Sequence, residues 1–156
     1  MAKSTRAIDM FGKLSRYILK LWGFKITGVD VHAYPKKIFA VAPHTSNWDF
    51  PLGILVRSAM NLKIRFLGKD SLFKPPYGWI FRALGGIPVV RTKATNFVED
   101  TVNTLNKYNE ISLALAPEGT RKRVEVFRTG FYWMAVKSEI PLFLVKFDWG
   151  NKIVDF

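Results

Sequence analysis

Cysteine is absent from the 156-residue sequence, which excludes disulfides, thiolate metal sites and a cysteine nucleophile at once. Histidine is scarce: His32 and His44 are the only two, too few for a zinc site built on several imidazoles. The expectation is a protein without a metal centre or cofactor. No uninterrupted apolar run approaches the ~20 residues that cross a bilayer. The N-terminal segment also lacks the continuous apolar stretch of a secretory signal, because Lys13, Arg16 and Lys20 interrupt residues 10–22. A cytoplasmic location is the expectation that follows. There is no low-complexity tract, internal repeat or linker-like stretch, and the length suits one compact domain.

What is abundant is positive charge and aromatic rings. Lysine and arginine number 24 against 12 acidic residues, a net charge of +12, and 15% of the residues are aromatic. A chain this basic is attracted to polyanions: nucleic acid, an anionic bilayer or a phosphorylated ligand. An apolar fraction of 49% is otherwise that of an ordinary globular protein.

Residues 5–22 read as a helix stopped by Gly23. At ~100° per residue, Met10, Phe11, Leu14, Tyr17, Ile18, Leu21 and Trp22 share one arc, and Lys13, Arg16 and Lys20 share the other side. Such a basic amphipathic helix suits an anionic membrane surface, and the same apolar arc could instead pack on the domain's own core. Beyond it, short β-rich runs alternate with helical stretches. Strands are predicted over residues 38–42, 63–68, 87–91, 111–116 and 142–147, the last being the final strand. Helices are predicted over 48–60, 77–84, 96–106 and 130–138, the first of them capped by Ser46 or Asn47. This alternation predicts an α/β single domain: a central, mostly parallel or mixed sheet flanked by helices, with an N-terminal amphipathic helix over residues 1–24 and the main domain over 25–156.

Two strand ends concentrate polar chemistry. Ala42-Pro43-His44-Thr45-Ser46-Asn47-Trp48-Asp49 leaves one strand and enters a helix, and Ala116-Pro117-Glu118-Gly119-Thr120-Arg121 leaves another. Ligands of open α/β sheets bind at such carboxyl ends. With His44 in the loop and Asp49 in the first helical turn, the carboxylate can fold back onto one ring nitrogen and leave the other free as a base. The competing description is a plain loop histidine, with Asp49 complementing the helix dipole. In the second block the Arg121 guanidinium matches phosphate oxygens, Gly119 allows close backbone approach and Glu118 can accept from a hydroxyl. An ordinary turn followed by a basic surface is the competing description. No Gly-x-Ser-x-Gly elbow accompanies any serine, and Ser46 is better placed to cap than to attack.

The ordered pair His-x-x-x-x-Asp and Glu-Gly-Thr-Arg resembles the glycerol-phosphate and lysophosphatidic acid acyltransferase family. The resemblance extends through Lys69-Asp70-Ser71-Leu72, Pro76, Gly78, Gly85-Gly86-Ile87-Pro88-Val89-Val90-Arg91, Phe127-Arg128-Thr129-Gly130 and Ile140-Pro141-Leu142, covering nearly all of residues 38–147. It implies His44 as catalytic base and Asp49 as its orienting partner, with direct acyl transfer from a thioester to a hydroxyl. Glu118, Gly119, Thr120 and Arg121, then Arg91 and Lys69, would hold a phosphorylated lipid acceptor. The donor would be an acyl-CoA or an acyl-carrier protein, and the place of action the cytoplasmic face of an anionic phospholipid membrane, without nucleic acid as a partner. Three departures stand out: Val90 occupies a place usually acidic, Phe143-Leu144-Val145-Lys146-Phe147 lacks a second proline, and the chain stops at Phe156 where family members continue. The rivals are a thioesterase-type hydrolase and a non-catalytic basic module for lipid or nucleic acid.

Overall fold

The computed structural model describes residues 2–89, 97–120, 122 and 124–156, with the side chains of the first helix described from Met10 onward. Helix α1 (Ala2–Trp22) leads into β1 (Lys25–Thr27) and the central strand β2 (Lys36–Ala42). Then follow α2 (Asp49–Ala59), β3 (Ile64–Lys69), a 3₁₀ turn (Asp70–Phe73), α3 (Gly78–Ala83), β4 (Gly86–Val89) and α4 (Phe97–Asn106). The chain finishes with β5 (Ile111–Leu115), α5 (Gly130–Ser138), β6 (Leu142–Asp148) and β7 (Ile153–Asp155).

The strands form one sheet in the order β1-β7-β6-β2-β5-β3-β4. From β6 to β4 every neighbouring pair is parallel, and β7 turns back antiparallel on β6. The expected mixed α/β sheet with helices on its faces is thus the observed fold. Strand β2 sits in the middle and is buried on both sides, which is why its sequence is a continuous apolar run rather than an alternation. Ile38 faces a core with Leu105, Ile111, Leu113, Met134 and Ala135, under α4 and α5. Its neighbour Phe39 points the other way, into a core with Leu19, Leu52, Val56, Val145 and Phe147, under α1 and α2.

Two expectations need correction. Strand β6 is not the last: β1 and β7 pair in parallel beyond it. Each has three residues, too few to show a period of two. Their close fit depends on Gly28 (φ +105), where a Cβ would lie 2.1 Å from the Phe156 carbonyl oxygen. The second correction concerns the start of α2, where neither Ser46 nor Asn47 caps. Trp48 holds that position without a side-chain cap bond, since an indole offers no acceptor, and the Ser46 hydroxyl accepts from the Trp48 N–H at 3.1 Å in the turn before the helix.

Helix α1 ends as its sequence predicts. Gly23 adopts φ +79 and the Phe24 N–H reaches back to the Leu19 carbonyl at 2.8 Å, closing the last turn. The packing face is less expected. Gly12, Ser15 and Leu19 are the buried positions, and Arg16 Nη1 donates to the Ala59 carbonyl at 2.7 Å, satisfying an orphan acceptor at the end of α2. The arc of Met10, Phe11, Leu14, Tyr17 and Leu21 stays outside, 52–68% exposed. These five side chains do not pack on the domain's own core. The small residues let the helices approach closely, and a Cβ at Gly12 would stand 3.1 Å from the Ser58 carbonyl oxygen. Gly12→Leu is expected to wedge α1 from α2 at a cost of about 1–3 kcal/mol. A thermal melt should read this as a Tm lower by roughly 2–10 °C.

Candidate active site

The topology marks a crevice before any side chain is considered. From β2 the chain crosses by α2 on one face to β3, and from β5 it crosses by α5 on the other face to β6. Neighbours β2 and β5 therefore lead away in opposite directions, a switch point of the kind where α/β sheets bind ligands. His44 follows the end of β2, and the Glu118-Gly119-Thr120 turn follows the end of β5.

Asp49, in the first turn of α2, is 3% exposed. Its Oδ2 lies 3.2 Å from His44 Nδ1 and accepts the Ser46 N–H at 2.8 Å. Its Oδ1 accepts the indole N–H of Trp149 at 2.7 Å. Such donors offset the cost of taking a carboxylate's oxygens out of water. With Nδ1 facing the carboxylate, the imidazole has Nε2 left to exchange a proton with a ligand. The His44 side chain is 27% exposed, so the ring sits at the mouth of the crevice.

Glu118 is 6% exposed, and its Oε2 accepts the backbone N–H of His44 at 2.8 Å. The two polar blocks are thus brought together, joined by a carboxylate–backbone bond across the switch point. Gly119 has φ +64, and a Cβ there would stand 3.0 Å from Arg128 Nε, so the Arg128 side chain lies against this turn. The Thr120 hydroxyl accepts the Lys122 N–H at 3.2 Å. Lys69 is exposed at the end of β3, two strand spacings from β2 or about 10 Å. Arg91 and Arg121 lie outside the described residues. Among those described, no cluster of acidic and histidine side chains could hold a metal ion.

Beneath His44 a cavity of about 170 Å³ runs between α2 and the sheet. Phe50, Ile54, Phe66, Val145 and Phe147 give it apolar walls, and Gly53 leaves one side open. Along α2 it passes from Asp49 to Arg57, about 12 Å at the helical rise. Arg57 donates to the carbonyls of Ile64 (3.0 Å) and Leu84 (2.5 Å), and burial holds its pKa below the ordinary guanidinium value.

Two residues at this site were missing from the candidates read off the sequence. Arg128 stood within the resembling block Phe127-Arg128-Thr129-Gly130 and could have been included on that ground. Trp149 carried no signal, since it contacts Asp49 across 100 residues of chain. The turn that carries it is held by Asp148, whose carboxylate accepts from Lys146 Nζ (2.8 Å), the Asn151 N–H (2.9 Å) and Asn151 Nδ2 (3.0 Å). The Lys146 hydrogen bond, then the two from Asn151, keep the Asp148 pKa far below the usual carboxylate range. A depressed pKa stabilises the turn above the unfolded carboxyl value, and that contribution fades as the pH falls through the folded one.

The fold and the pair together define an α/β protein that holds one imidazole against a buried carboxylate at a ligand crevice. The chain matches the acyltransferase family over residues 24–147 and belongs to that family. Among solved structures it is similar to the 1-acyl-sn-glycerophosphate (LPA) acyltransferase PlsC from Thermotoga maritima, at 20% identity and a TM-score of 0.57. That likeness covers 93% of this chain and 60% of the Thermotoga chain, so this sequence spans about three-fifths of its relative's length. No curated protein matches it.

If the Glu118 carboxylate braces the two blocks, Glu118→Gln, which keeps a carbonyl acceptor, should melt close to the wild type. Glu118→Ala leaves the His44 N–H unpaired, and calorimetry should show a loss of about 1–3 kcal/mol.

Proposed function

We propose that this chain transfers a fatty acyl group from an acyl thioester to a hydroxyl of a phosphorylated glycerolipid such as lysophosphatidic acid, working at an anionic membrane surface. The observation that carries the reading is the His44–Asp49 pair placed between an apolar cavity and a polar turn. An acyl chain needs the first and a phosphorylated acceptor the second. Family membership supports the reaction class.

The chemistry follows from the geometry. His44 Nε2 takes the proton of the acceptor hydroxyl as its oxygen attacks the thioester carbonyl. A C–O bond forms, the C–S bond breaks, and the imidazolium returns the proton to the leaving thiolate. Asp49 fixes the ring's tautomer and stabilises the transient imidazolium. The acyl chain lies in the cavity along α2, with Arg57 as a polar boundary at its far end. The acceptor's phosphate is gripped at the Glu118-Gly119-Thr120 turn and by Arg121, with Arg128, Arg91 and Lys69 as further cations. An acyl-CoA and an acyl-carrier protein both suit this reading as donor, and no cofactor is required by it.

The surface of α1 supports the membrane part. Its outward apolar arc ends at Trp22, whose ring lies 6.1 Å from Trp48, the residue immediately before Asp49. Trp48 is 61% exposed. Aromatic and aliphatic side chains flanked by cations are what an interfacial helix offers a bilayer, and here they adjoin the crevice that would receive the lipid.

Purified protein mixed with a fatty acyl thioester and lysophosphatidic acid should release free thiol only when the acceptor is present. Release without acceptor would instead mark a hydrolase. His44→Ala should lower the acceptor-dependent rate by at least ~10²-fold and leave binding to anionic vesicles intact, and retained turnover would remove His44 from the mechanism. In the same vesicle assay, Leu14→Asp combined with Leu21→Asp should release the protein into the supernatant. Undiminished sedimentation with vesicles would assign the α1 surface some other partner.

A further inference from the structure

The Asp49 carboxylate is held by more than the residues around it in sequence. Oδ1 has a donor from the far end of the chain: the indole N–H of Trp149, in the turn between β6 and β7, at 2.7 Å. Oδ2 is shared between the Ser46 N–H at 2.8 Å and His44 Nδ1 at 3.2 Å. With each oxygen anchored from a different segment, the carboxylate cannot rotate about its Cβ–Cγ bond without breaking a bond at one end. An indole N–H suits this task because it donates and cannot accept. It neither competes with the imidazole for a proton nor presents a second orientation.

The indole is itself held in place. Its ring meets Phe24 edge-on, with centroids 5.1 Å apart and planes at 89°. Lys152 Nζ sits over both rings, 5.1 Å from the Phe24 centroid and 5.3 Å from that of Trp149. Phe24 follows the Gly23 turn that closes α1, and Trp22 on that helix lies 6.4 Å from it. Among the described residues, charged groups near the indole include Asp49 itself, Lys152 on its own turn, and the adjacent Asp148, which is paired with Lys146.

We propose that Trp149 is a positioning residue of the His44–Asp49 pair: its N–H fixes the carboxylate so that Oδ2 faces the imidazole. It rests on the acyl-transfer reading only for its kinetic consequence, since the effect on the imidazole is present without substrate. Trp149→Phe deletes the N–H and keeps a ring for Phe24 and Lys152 to pack against. With two histidines in the chain, ¹⁵N spectra of the imidazoles resolve His44 from His32. In the wild type His44 holds a single tautomer with the proton on Nδ1. In the Phe variant it becomes a mixture, while the His32 signals stay in place. Kinetically, kcat falls about 5–20-fold with both KM values within twofold of the wild type, and the substitution adds nothing further in an Asp49→Asn background.

An unchanged His44 tautomer in the Phe variant overturns the proposal, as does a loss confined to KM. Absence of any turnover in the wild type would instead count against the acyl-transfer reading and leave the ¹⁵N comparison standing. Should Trp149→Phe not hold the fold, the wild-type indole serves in its place. Its N–H proton should resonate downfield of an unbonded indole and lose that position on Asp49→Ala, and a resonance that stays put overturns the proposal equally.

Discussion

One buried carboxylate sets the conditions for everything around it. Asp49 is taken almost wholly out of water, and a charge in that position is tolerated only where donors are already in place. Among the described residues those donors come from the loop after β2 and from the turn after β6. Its one ionisable partner there is the imidazole of His44. Strands β2 and β6 are neighbours in the sheet although about a hundred residues separate their sequences. The set of donors around the carboxylate is therefore complete only once the last part of the chain has docked beside the middle of it. How that carboxylate is held is thus a property of the finished sheet as well as of the local motif.

The same logic divides what could be read from the sequence from what could not. His44 and Asp49 are five positions apart, so a loop-to-helix junction sufficed to bring them together and the spacing was legible. Helix α5 was read at its true bounds, and β2 stood out as an apolar run because both its faces are covered. The contact of Glu118 with His44 was hidden: its donor is a backbone N–H, which leaves no trace in residue type. Trp149 was hidden by distance along the chain. Strands β1 and β7 were hidden by brevity. In α1 the membership of each arc was legible from periodicity, but which arc packs inward was not. Hydropathy weights large apolar side chains, whereas the buried face of α1 includes Gly12, set against Ser58 of α2, and Ser15, whose merit is their small size.

The positive charge becomes easier to interpret once its members are placed. Arg57 neutralises the ends of two backbone carbonyls at the cavity's far end, Arg16 caps α2, and Lys37 is buried with its ammonium on the Tyr34 carbonyl and its pKa lowered by that burial. These cations serve the fold. Others, at Arg128 beside Gly119 and Lys69 at the end of β3, stand along the carboxyl edge of the sheet. The positive charge thus includes cations that satisfy backbone acceptors and cations at the carboxyl edge of the sheet, besides those paired with carboxylates or rings, such as Lys146 and Lys152.

Close approach of α1 to α2 has a mechanical side. With Gly12 seated against the Ser58 carbonyl and Arg16 tied to Ala59, the first helix cannot roll about its axis without driving a bulkier residue into its neighbour. Its outward rings keep a constant bearing relative to the sheet, like a keel fixed to a hull. On the membrane reading, the attitude at which the domain rests on a lipid surface is then set by these two contacts between helices and not negotiated with the lipid, so the crevice would meet every bilayer at the same tilt.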